Sequence, residues 1–134
     1  MNAFYYYEKK DGQTIKCRKI SQTRIKKMWK LLTKKPMLEI IGIYVSDEKF
    51  EIIWNDLYFE RATQSERKRI DRGIRKEWRF KGYLDMNAGF VVSLEDLDYE
   101  DRKKFFLIVI RSKDYRIREK GTKILKHELL HIIN

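Results

Sequence analysis

One cysteine, one proline and two histidines are spread over 134 residues. The lone Cys17 excludes an internal disulfide framework. Met1 to Lys10 opens on aromatics rather than on a charged-then-apolar leader, so a soluble protein of a reducing compartment, the cytoplasm, is expected. No apolar run approaches the roughly 18 residues of a membrane helix, and no membrane partner is expected. With Pro36 as the one proline and no low-complexity stretch, nothing reads as a linker. The chain, 1–134, reads as a single domain long enough to bury a core. There is no Walker loop, no G-x-G-x-x-G turn, no C-x-x-C pair and no G-x-S-x-G elbow, which argues against nucleotide-loop, thiol and serine chemistry. Asn, Gln, Cys and Pro are scarce beside Lys, Arg and Glu, a balance that leans toward a thermophilic source.

What is abundant is bulk and positive charge. Eight tyrosines, seven phenylalanines and three tryptophans can fill a folded core. Thirty-one Lys and Arg stand against twenty Asp and Glu, a net charge of +11. Either an anionic partner or a solvated basic surface accounts for that excess. It is densest after Thr63-Gln64-Ser65-Glu66, a capping-box pattern. Ile70, Ile74 and Trp78 form the apolar row of the helix this box opens, and Gly82 would end it. Arg67, Lys68, Arg72, Arg75, Lys76 and Arg79 project elsewhere, with Phe80 and Tyr83 nearby. Guanidinium groups with aromatics suit a phosphate backbone carrying unstacked bases, so one reading is a nucleic-acid-binding module without sequence specificity. The other is an ordinary solvated helix face.

Local patterns predict an α+β protein, an antiparallel sheet of hairpins packed on helices. Asp11-Gly12 between two β-rich runs is a strong hairpin signal. Ser21 reads as the N-cap of a helix carrying Ile25, Met28, Trp29 and Leu32, which Pro36 closes. Residues 38–45 and 50–54, joined by Ser46-Asp47-Glu48-Lys49, read as a second hairpin. Residues 89–93 read as a short strand. The six apolar residues 105–110 suit a buried strand, but the acidic Asp98, Glu100 and Asp101 before them favour a helix, which is the expectation here. Cys17 reads as a small buried hydrophobe on a strand. Asp114 reads as the cap of the last helix.

That last helix holds both histidines, in His127-Glu128-Leu129-Leu130-His131. Positions i and i+4 share a helix face, so two imidazoles so spaced can hold one metal ion. The intervening glutamate can take a proton from water. At 100° per residue, Leu125, Leu129 and Ile132 form the buried centre, and the histidines share one flank. Glu128 falls between Ile124 and Ile132, nearer the core than a solvated glutamate. Gly121, one turn before Leu125, would let another segment come close. From Lys123 to Ile133 the chain resembles the zincin metallopeptidases, with aliphatic residues where that family buries its active-site helix. The resemblance implies Zn²⁺ on His127 and His131, Glu128 as general base, and a peptide or protein as substrate. That family takes its third ligand well after the motif, whereas three residues follow His131 here. The third ligand comes from upstream, where Glu95, Asp96, Asp98 and Cys17 are the candidates, from another subunit, or does not exist. A degenerate zincin acting as an interaction protein is a further alternative.

Overall fold

Asp11 and Gly12 turn the chain back on itself. The Asp11 carboxylate accepts from the Gln13 N–H at 2.9 Å, and Gly12 takes φ +88°, where a Cβ is strained. The turn joins β1 (Phe4–Glu8) to β2 (Thr14–Lys19), antiparallel with Tyr6 opposite Lys16. The structure, a computed structural model, describes residues 3–61, 88–95 and 104–134. The predicted basic helix, its capping box, Gly82, Asp96 and Asp98 lie outside them.

After β2 come α1 (Gln22–Leu32), β3 (Ile40–Val45) and α2 (Asp47–Arg61). Then follow β4 (Gly89–Glu95), β5 (Lys104–Arg111), a single turn α3 (Ser112–Tyr115) and α4 (Arg118–Ile133). The strands order β1-β2-β3-β5-β4. The sheet is mixed rather than the antiparallel one expected: β3 and β5 run parallel, Val45 beside Arg111, and the other pairs are antiparallel.

Two expected elements change type, each for its own physical reason. Residues 105–110 form a strand, not a helix, because β5 is central and covered on both faces. Leu107 and Val109 enter one apolar cluster, and Ile108 and Ile110 the other, all four fully buried. A strand buried on both sides reads as a continuous apolar run. Residues 50–54 belong to a helix, not to a second hairpin. Phe50, Ile53 and Leu57 are buried at helical spacing. Ser46 starts the helix, its carbonyl accepting from Phe50 N–H at 2.8 Å and its hydroxyl from Lys49 N–H at 3.3 Å.

The result is three layers. On one face α2 packs with Tyr7, Cys17, Ile43, Val45 and Val109. On the other, Ile25 and Trp29 of α1 and Leu125 and Leu129 of α4 pack with Ile20, Ile40, Ile108 and Ile110. Ser21 occupies the N-cap of α1 as expected, though its hydroxyl makes no capping bond; the helix ends at Leu32, before Pro36. Trp29 is buried and donates its indole N–H to the Lys35 carbonyl at 2.8 Å. Among the described residues no helix is long and apolar enough to cross a membrane.

Candidate metal centre

The position of α4 is set at its first turn. Gly121 is buried, and a Cβ built on it would land on the Tyr115 carbonyl. Helix and preceding turn therefore touch backbone to backbone, the close approach expected of that glycine. Tyr115 in turn stacks on Tyr44 of β3, ring centroids 4.5 Å apart. Arg24 of α1 donates to the Tyr115 hydroxyl at 2.6 Å and to Thr122 Oγ1 at 2.9 Å, tying α1 to α4. Asp114 is not the cap of α4; Ile117 holds that position. Asp114 is buried in α3, ion-paired to Arg111 at 2.8 Å and to Lys120 at 2.6 Å. Gly121→Ala should accordingly destabilise the protein by about 1–3 kcal/mol, since backbone must move to admit one methyl. Urea unfolding would measure it, and an unchanged midpoint would mean that α4 can slide on α3.

Leu125 and Leu129 are fully buried, and Ile124, Ile132 and Ile133 pack around their cluster. That anchored stripe fixes the rotation of the helix. His127 and His131 fall on its exposed flank. Their Nε2 atoms lie 3.0 Å apart, with the rings perpendicular. Two nitrogens so close share either a proton or a cation. Tetrahedral zinc with bonds of about 2.0–2.1 Å sets its two nitrogen ligands roughly 3.3 Å apart, close to the spacing of this pair.

Glu128 points inward instead, 5% exposed. Burial pushes its carboxyl up from 4.5 to about 7. Among the described residues it has no hydrogen bond or ion pair.

The third ligand is not found in the described part of the chain. No third His, Cys, Asp or Glu joins the histidines there. Cys17, one of the upstream candidates, sits in the cluster on the α2 face, with the sheet between it and α4. Burial raises its thiol, as befits the small hydrophobe expected. Glu95 is the last residue of β4. No family model, curated protein or solved structure matches this chain.

The motif was legible in the sequence, as were the shared flank of the histidines and the inward place of Glu128. The Arg111–Asp114–Lys120 cluster was not, because its members come from a strand end, a single turn and a helix start.

Proposed function

We propose that this is a zincin-like protein whose α4 binds one Zn²⁺ through His127 and His131, with Glu128 as general base for hydrolysis of an amide bond. The observation that carries this reading is the pair of Nε2 atoms 3.0 Å apart on the open flank of an otherwise anchored helix. Two imidazoles are a fitting but incomplete donor set, since a catalytic zinc takes three protein ligands. The third would come from upstream, where Glu95, Asp96 and Asp98 remain as candidates, or from another subunit. The ion would contribute Lewis-acid polarisation of a carbonyl and of water. The chain's own part is to hold both rings on one face and to accept a water proton at the Glu128 carboxylate. Burial of that carboxyl keeps it weakly acidic and therefore basic enough to take the proton.

Titration calorimetry on metal-stripped protein should find no more than one zinc per chain. The melting temperature should rise with free zinc, by the equivalent of about 2.7 kcal/mol at a hundredfold excess over Kd. His131→Ala should abolish both effects without unfolding the chain, because the ring is exposed. Glu128→Gln should keep the metal and lose any peptidase activity. No uptake and no thermal shift in the wild type would end the metal reading. Activity surviving Glu128→Gln would remove that residue as base.

A further inference from the structure

β3 and β5 end side by side at Val45 and Arg111, and the chain leaves them toward opposite faces of the sheet. From β3 it enters α2 on the face of Phe50; from β5 it enters α3 and α4 on the face of Leu125. Adjacent parallel strands whose connections diverge leave a crevice beyond their carboxyl ends, where open sheets with helices on both faces take their ligands. A cavity of about 740 Å³ lies there, within the size range of small-molecule pockets.

Its chemistry is one-sided. Lys16, Arg18, Lys49, Lys113 and Arg116 line it, with Asp47 as the only carboxylate among the described lining residues. Asp47 is taken by Lys113 at 3.0 Å, and Lys49 donates to the Lys16 carbonyl at 2.8 Å. Lys16 and Arg18, two apart on β2, both lean on the Phe4 ring, at 4.0 and 5.3 Å from its centre. Like charges are thereby held beside each other, with no ion pair to either among the described residues. Arg116 has no ion pair among the described residues. It also lines a second groove of about 530 Å³, which shares Tyr44 and adds Arg24 and Arg118. Phe4 and Tyr44 supply an apolar wall on which the body of a ligand can rest. Ser46 and Ser112 bring hydroxyl donors to the mouth.

The geometry points to a binding site for a phosphorylated small molecule at the carboxyl ends of β3 and β5, its phosphate held by Lys16, Arg18 and Arg116. Phosphate is favoured over carboxylate because three cations lining one concavity exceed what one carboxylate can neutralise. A small molecule is favoured over a nucleic-acid strand because the cations line a concavity rather than a ridge. The site is independent of the histidine pair, which lies toward the other end of α4.

The test uses metal-stripped protein at low ionic strength. Pyrophosphate and adenosine diphosphate are titrated by calorimetry, and a fluorescent single-stranded oligonucleotide by anisotropy. Either small phosphate compound should bind, and the double variant Arg18→Gln, Arg116→Gln should weaken it tenfold or more. Both side chains are exposed, so the fold should hold, which circular dichroism checks. The double variant His127→Ala, His131→Ala should bind as the wild type does. No binding of either small compound, or equal binding by the Arg18→Gln, Arg116→Gln variant, would overturn the site. So would binding lost in the histidine variant, which would move the phosphate to α4. Binding of the oligonucleotide alone would replace the small molecule by a polyanion and overturn the assignment as well.

Discussion

Glu128→Leu is expected to stabilise the metal-free protein by about 3 kcal/mol at pH 8 and to have far less effect near pH 4.5. The folded-state carboxyl is raised to about 7, against 4.5 for a free glutamate. The folded chain therefore holds this proton more tightly than the unfolded chain does. Its contribution is fully present below pH 4.5 and is lost as pH rises through 7. A shift of that size corresponds to about 3 kcal/mol, at about 1.4 kcal/mol per pH unit. Leucine removes the ionisable group and fills similar space beside Ile124 and Ile132. Glu128→Gln should likewise remove the pH dependence, while leaving a buried amide that needs partners. Urea unfolding from pH 4.5 to 8, wild type against both variants, separates this group from all others. Parallel curves for wild type and variants would mean that Glu128 is solvated in the folded protein. A carboxyl that weakens the fold at neutral pH is also where function and stability are expected to conflict, as proposed for the general base.

The second large effect is expected at Asp114. Replacing it by alanine should cost about 3 kcal/mol, because the Arg111 guanidinium, 13% exposed, would keep little access to water once its partner is gone. Burial by itself would push the Asp114 carboxyl up. The hydrogen bond from Lys120 and the charges of Arg111 and Lys120 outweigh that, and hold it below the usual 3.8. This stabilisation is present above pH 3.8 and is lost as pH falls below it. Lys120 is half exposed, so Lys120→Ala should cost under about 1 kcal/mol and serves as the control. A loss for Asp114→Ala as small as that would show that Arg111 finds water when its partner is gone. Taken with Glu128, the opposite signs place the combined stability maximum of these two groups between pH 4 and 5. The acid limb should vanish in Asp114→Ala, and the neutral limb in Glu128→Gln.

Much of the fold was legible wherever one residue's local chemistry decides. Asp11-Gly12 announced its hairpin because a positive φ and an aspartate bond need only neighbours in sequence. The face of α4 was legible because 3.6-residue periodicity assigned Leu125 and Leu129 to the core and the histidines to the flank. Residues 50–54 were misread because Ile52, Ile53 and Trp54 look β-prone in isolation. Their helical spacing emerges only when Leu57 is included. Residues 105–110 were misread because an unbroken apolar run has no period to choose between strand and helix.

By itself the sequence determined the first hairpin, the α1 and α4 helices and the pairing of His127 with His131 across one helical turn. All of these depend on interactions within a few residues. Only the tertiary structure decided that β5 is central and parallel to β3, since that depends on what covers both of its faces. It also decided that Asp114 bridges Arg111 and Lys120, and that cations distant in sequence, from Lys16 to Arg116, line one cavity beyond the strand ends. A charge distant in sequence becomes a neighbour only when the sheet order is set, and sheet order is chosen by burial summed over the whole chain.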